Sequence, residues 1–188
     1  MSQVMPSDFS RMLVDIEEYA SRTPGELASA AQFTGFLQSH PAVFERSHRS
    51  GHFTGSAWLI NADGMRVLLM HHRKLDRWLQ PGGHADGNAD LARVALREAR
   101  EETGVTGLQV EHGIFDIDRH RIPARANEPE HWHYDVRYVV RASADERFVI
   151  NQESQSLAWC PVIEIADQAG FDDSLRRMAR KWLLRGGA

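Results

Sequence analysis

At 188 residues the chain suits one domain with a hydrophobic core, and its 42% hydrophobic and 26% charged content is ordinary for a globular protein. A net charge of −4 argues against nucleic-acid or membrane binding through a basic surface. Cys160 is the single cysteine, so no internal disulfide can form, and a reducing, cytoplasmic setting is expected. The N-terminus has no basic region followed by an apolar run, and no apolar run approaches the roughly 20 residues needed to span a bilayer.

Residues 7–20 read as a helix. Ser7 can cap it, and Phe9, Met12, Leu13, Ile16 and Tyr19 or Ala20 recur at helical spacing. A second helix is expected from Thr23-Pro24 towards His40, stopped by Pro41, with Ala28, Ala31, Phe33, Phe36 and Leu37 on its apolar side. Residues 1–43 thus form a helical extension packed on a main domain of residues 44–188. Dimerisation or substrate selection is the alternative use of these helices.

From Phe53 the pattern turns to strand. SAWLI and MRVLLMHH are joined by NADG, with Asp63-Gly64 the turn signal. RWLQPGG follows as a short strand ended by Pro81, and Gly82-Gly83 permit backbone conformations closed to other residues. A helix then runs from Ala89 or Asp90 to Thr103, with Asn88 or Asp90 as N-cap and Gly104 as a C′ cap. Ala92, Leu96, Ala99 and Thr103 make a small-residue face suited to packing on a sheet. The helix is expected to be buried near its start and wet near its end.

Two further strand regions follow Gly107. In LQVEHGIFDIDRHRIP, Phe115 and Ile117 face one way and Asp116, Asp118 and His120 the other. In HWHYDVRYVVRA, Trp132, Tyr134, Val136 and Tyr138 alternate with His131, His133, Asp135 and Arg137. Both polar faces are too rich in chemically capable side chains for plain solvated surfaces. RIPARANEPE between them is long enough for a rim or lid. SLAWCPV is the last strand, and Ser174–Leu184 an amphipathic helix with Leu175, Met178, Ala179, Trp182 and Leu183 at helical spacing.

Glu98, Glu101 and Glu102 are related by three and four residues, so on a helix they point the same way. Like charges at that spacing repel. A divalent cation turns repulsion into coordination, and clustered carboxylate oxygens suit Mg²⁺ or Mn²⁺. The plain alternative is a solvated helix end. For Gly82-Gly83 it is a turn, and for His131-x-His133, with His120, the choice lies between a transition metal and hydrogen bonds to a ligand.

The stretch Gly82–Val105 resembles the signature of the Nudix hydrolases. The register gives Gly83, Ala89, Arg97, Glu98, Ala99, Glu101, Glu102, Gly104 and Val105, a box over residues 83–105. Ala99 is a small substitute, and Ala89 departs where the pattern carries a glutamate. GHFTGSAWLI, LLMHHRKLDRWLQPGGH, FDIDRHRIPAR and HWHYDVRY look like one bacterial branch of that superfamily. The resemblance implies an α/β/α sandwich around a mixed β-sheet, preceded here by the helical extension. It implies hydrolysis of a nucleoside diphosphate linked to another moiety, such as a sugar or a second nucleotide, with Mg²⁺ or Mn²⁺.

By the same resemblance, Glu98, Glu101 and Glu102 are metal ligands, Glu101 and Glu102 being catalytic, and Arg97 orients a carboxylate. Gly82, Gly83, His84, His120, His133 and Asp135 are substrate-binding candidates. Asp90 is a substitute for the carboxylate missing at Ala89. The general base comes from outside the box, with Glu153 first and Asp116, Asp118, His133 and Asp135 behind it. The expected partner is a small nucleotide, with neither nucleic acid nor membrane, and a homodimer is compatible with the sequence. The rival readings are a catalytically silent ligand-binding Nudix domain, a nucleoside triphosphate pyrophosphatase, and a prenyl diphosphate isomerase, which would need Cys160 near a cleft.

Overall fold

The computed structural model of the chain describes residues 6–73, 75–124, 128–150 and 154–186. The elements run α1 (Pro6–Arg22), α2 (Leu27–Ser39), β1 (Gly51–Ile60), β2 (Arg66–His72), β3 (Arg77–Leu79), β4 (Gly82–His84), α3 (Leu91–Thr103), β5 (Gln109–Val110), β6 (Asp116–Ile122), β7 (His131–Arg141), β8 (Ser154–Pro161), α4 (Val162–Asp167) and α5 (Asp173–Arg185). The class is α/β, as expected, with an eight-stranded mixed sheet whose main path is β3-β2-β1-β7-β5.

The fold divides into two compact units, the first made of Met1–Ser56, Gly82–Ala95 and His112–Tyr138. In it α1 buries Met12, Ile16 and Tyr19. The Ser7 side chain, expected to cap this helix, lies outside the described residues. The second helix begins later than expected, because Pro24–Glu26 form a 3₁₀ turn before it. Its buried side is Ala30, Phe33, Phe36 and Leu37, while Ala28 and Ala31 are exposed. Tyr134 stacks on Phe36 at 3.8 Å between ring centroids and meets Phe33 edge-on, so this tyrosine is core rather than a platform for a base. Strand β6 pairs antiparallel with β7, setting Asp116 opposite Arg137, Asp118 opposite Asp135 and His120 opposite His133. Directly opposed residues share a face, so the two polar faces read separately from the sequence are one.

The glycine pair is not a turn. Gly82–His84 form strand β4, antiparallel to β1 in the register Thr54 to His84, Gly55 to Gly83 and Ser56 to Gly82. A Cβ at position 82 would lie 2.8 Å from Ser56 Cβ and closer still to its Oγ. Glycine is required there by close strand approach rather than by a special dihedral.

The second unit comprises Ala57–Pro81, Leu96–Glu111 and Val139–Ala188. The NADG turn is as expected, with Gly64 N–H donating to the Asn61 carbonyl at 3.1 Å and Met65 N–H to Asp63 at 2.8 Å. Strand β2 pairs with β3 on one side, and with β8 along Arg66–His72. The short helix α4 was not expected. Asp172 then caps α5, its carboxylate accepting from Leu175 N–H at 2.8 Å, and Leu175, Met178 and Ala179 are buried. Trp182 keeps its ring half-buried by donating to the Gly64 carbonyl at 2.8 Å.

Candidate active site

Helix α3 starts where its cap dictates. Asp90 accepts from Arg93 N–H at 3.1 Å, which makes it the N-cap and spends one of its oxygens. Ala89 is 8% exposed and lies just before the helix, so the carboxylate-bearing position of the signature is filled here by a buried methyl group. The far end of the helix stops at Gly104, whose φ of +68° and N–H bond to the Arg100 carbonyl at 2.9 Å form the expected cap. The buried side of α3 is Leu91, Val94, Ala95, Ala99, Glu102 and Thr103. Of the small-residue face expected, Ala99 and Thr103 are buried and Ala92 and Leu96 half-buried, and Glu102 joins the buried side.

The three glutamates therefore differ. Glu101 is exposed, Glu98 is half-buried, and Glu102 is 7% exposed. Arg97 donates to Glu98 Oε1 through Nε at 3.2 Å and Nη2 at 2.5 Å. Carboxylate oxygens are the donors that Mg²⁺ or Mn²⁺ prefers, but among the described residues the side chains whose ligand atoms converge are His52, His131 and His133. Glu153, the first candidate for general base, lies outside the described residues.

The other candidates sit in the first unit, on a polar face made by β1, β4, β6 and β7. Asp135 accepts from Thr54 Oγ1 at 2.9 Å, from Ser56 Oγ at 2.7 Å and from Arg137 Nε at 2.7 Å. Arg137 is 2% exposed and also donates to Asp116 at 3.0 Å and Asp118 at 2.9 Å. Burial pushes the Asp135 carboxyl up, but the Arg137 charge, then His120 and the hydrogen bonds, outweigh it and hold it below the usual carboxylate range. Burial likewise disfavours the Arg137 charge, and its three carboxylates more than reverse this. Asp135 and Asp116 were expected to serve substrate or catalysis. Their oxygens are instead engaged inside the protein, in a hydrogen-bonded ion network.

Beside this network lies a group of histidines. His84, opposite Thr54 on β4, and His120 and His133, opposite each other on β6 and β7, are all half-buried. Their rings meet one another and two more: His52 lies 4.7 Å from His133, 4.9 Å from His84 and 5.0 Å from His131, centroid to centroid. Burial, then His84, His131 and Arg46, bring His52 down to about 4, with the His48 backbone opposing. Burial and the four surrounding histidines bring His133 down to about 2. His84 is lowered by burial and Arg46, against Asp86 and Glu128. Burial thus keeps His52 and His133 neutral near pH 7.

The residues missed by sequence reading are His52, Thr54 and Ser56. They alternate along β1 as His-x-Thr-x-Ser, a period-two polar pattern that marks one face of a strand. That signal was present, but only the pairing with β4 and the bonds to Asp135 give it meaning. Trp78 is half-buried on β3, edge-on to His71 at 5.1 Å. Cys160 on β8 is half-buried, and burial followed by Glu164 pushes its thiol up, away from the reactive thiolate. No described helix is long and apolar enough to cross a membrane.

The fold is thus a strand–loop–helix with an acidic helix end, set in an α/β architecture. The NUDIX domain family model matches residues 52–182, more than half of the chain, and the chain belongs to that family. A Mycobacterium tuberculosis protein, named provisionally as 8-oxo-dGTP diphosphatase 3, is 29% identical over 141 residues, covering 68% of this chain and 62% of its own length. The Caenorhabditis elegans bis(5'-nucleosyl)-tetraphosphatase (asymmetrical) is 23% identical over 118 residues, covering 60% of this chain and 81% of that protein. The chain thus spans less than two thirds of the mycobacterial relative. Among solved structures, a NUDIX-family hydrolase from Clostridium perfringens shares the fold at a TM-score of 0.56 and 21% identity, over 73% of this chain and 99% of that one.

Proposed function

We propose that the protein is a divalent-metal-dependent pyrophosphohydrolase acting on a nucleoside diphosphate linked to another moiety. The observation that carries this is the acidic end of α3: Glu98, Glu101 and Glu102 in the register of the family signature, with Arg97 donating to Glu98 and Gly104 closing the helix. The names of the relatives support a nucleotide phosphoanhydride as substrate, one naming an oxidised nucleoside triphosphate and one a dinucleoside tetraphosphate. We favour a dinucleotide or nucleotide sugar over a nucleoside triphosphate.

When bound, Mg²⁺ or Mn²⁺ neutralises phosphate oxygens and lowers the pKa of a coordinated water. The chain's own residues hold and position it. Glu98, Glu101 and Glu102 would be its ligands, and the guanidinium of Arg97 fixes the Glu98 carboxylate. In this reading Glu153 takes the proton from the attacking water. Gly82, Gly83, His84 and His120 are assigned to substrate.

A panel of nucleotide sugars, dinucleotides, coenzyme A and triphosphates with Mg²⁺ or Mn²⁺ in ¹⁸O-labelled water tests the reading. Turnover is expected on at least one linked nucleoside diphosphate. Glu101→Gln and Glu102→Gln should each lower kcat by about 10²-fold or more, since metal stabilisation of the transition state is worth several kcal/mol. Unchanged rates in both would refute the metal assignment. Glu153→Gln should also cost about 10²-fold, the lower end for a general base. The buried methyl at Ala89 favours the second reading, a domain that binds nucleotides without turning them over. Tight binding with no hydrolysis anywhere in the panel would establish that one instead.

A further inference from the structure

We infer that His52, His131 and His133 form a second metal site, built for a transition-metal ion of the zinc class rather than for Mg²⁺. Each offers one ring nitrogen, and these three atoms lie within 4.8 Å of one another. The Nε2 atoms of His131 and His133 are 3.3 Å apart. Two imidazoles bound tetrahedrally to one zinc at about 2.0–2.1 Å stand about 3.3–3.4 Å apart, so this pair already has the spacing of two ligands.

The tautomers agree. His131 Nδ1 lies 2.9 Å from the Pro129 carbonyl, which only accepts, so Nδ1 carries the proton. The lone pair is then on Nε2, on the side of His133. Outer hydrogen bonds of this kind orient metal-binding imidazoles.

His52 supplies the independent sign of a missing partner. It is 1% exposed, neither ring nitrogen makes a hydrogen bond of good geometry, and the polar backbone beside it is that of His48. A buried polar group left so is costly, and native structures rarely keep one without a reason. Simple ring packing among histidines does not relieve it; a cation accepting the Nε2 or Nδ1 lone pair does. His84 and His120, with rings 4.9 Å from His52 and 5.3 Å from His133, are at hand for a fourth position, which water can also fill. An all-nitrogen donor set selects Zn²⁺, Co²⁺, Ni²⁺ or Cu²⁺ over the oxygen-seeking Mg²⁺.

The full chain, stripped with chelator, is titrated with Zn²⁺ by calorimetry and with Co²⁺ by visible absorption. One zinc per chain is expected, with intense tetrahedral Co²⁺ bands. His131→Gln and His133→Gln should each weaken zinc by more than about 100-fold, beyond the loss of a mere outer-shell partner. Glu101→Gln should leave the zinc affinity within threefold. Absence of stoichiometric zinc overturns the inference, as does zinc binding that survives the histidine substitutions but fails in Glu101→Gln. Zinc-edge X-ray absorption on the wild-type protein decides without any variant: imidazole outer-shell scattering is expected, and an oxygen-only shell overturns the site. None of these readouts is hydrolysis, so the inference and the proposed activity fail separately.

Discussion

Two polar clusters share one buried face, and they are opposites. Around Arg137, one guanidinium meets Asp116, Asp118 and Asp135, and Thr54 and Ser56 complete Asp135. Around His52, five imidazoles crowd together and the central ring makes no hydrogen bond of good geometry through either nitrogen. Burial alone therefore does not tell a structural polar residue from a ligand-binding one. Satisfaction does: a completed network is part of the fold, and an incomplete one is shaped for something else.

The contrast can be broken from either side. Arg137→Met strands three carboxylates, and a loss of about 3–5 kcal/mol is expected in urea unfolding, as when one partner leaves a buried ion pair. A loss under about 1 kcal/mol would mean the network is not holding the fold. Zinc at 100 times its dissociation constant should stabilise the wild type by about 2.7 kcal/mol, by mass action on the folded state. The same addition should do nothing for His131→Gln. Asp135→Asn keeps an acceptor for Thr54 and Ser56 but drops the charge beside Arg137, so a cost of about 1–2 kcal/mol is expected. His52→Leu sits at the small end. In metal-free protein it removes unpaired nitrogens and keeps the bulk, so stability should move by less than about 1 kcal/mol. A loss above about 2 kcal/mol would reveal a protein partner for that ring.

Much of this was legible in the chain. Strict alternation placed β6 and β7, and a continuous apolar run placed β2. Carboxylate spacing singled out Glu98, Glu101 and Glu102 together, and all three fall on α3. What failed did so for physical reasons. Alanines discriminate poorly between helix faces, so the buried side of α2 was placed on Ala28 and Ala31 instead of Ala30. Strand β4 is three residues long with two glycines, and without side chains there is no alternation to read. Asp135 looked like a ligand for substrate because its donors, Thr54 and Ser56, lie some eighty residues away in sequence. His52 escaped because its chemistry depends on His131 and His133, brought near only when the strands assemble.

The narrow clearance at Gly82 ties three distant positions into one constraint. Ser56 Oγ holds Asp135 at 2.7 Å, and the hydrogen of Gly82 is what leaves room for that hydroxyl. Gly82→Ala would therefore act at a distance, turning Ser56 off its carboxylate and loosening Arg137 in turn. Residue 82 can grow only if residue 56 shrinks, and a shrunken residue 56 leaves Asp135 a donor short. The first glycine of the pair serves as a spacer for an interior hydrogen bond, so positions 56, 82 and 135 are free to vary only together.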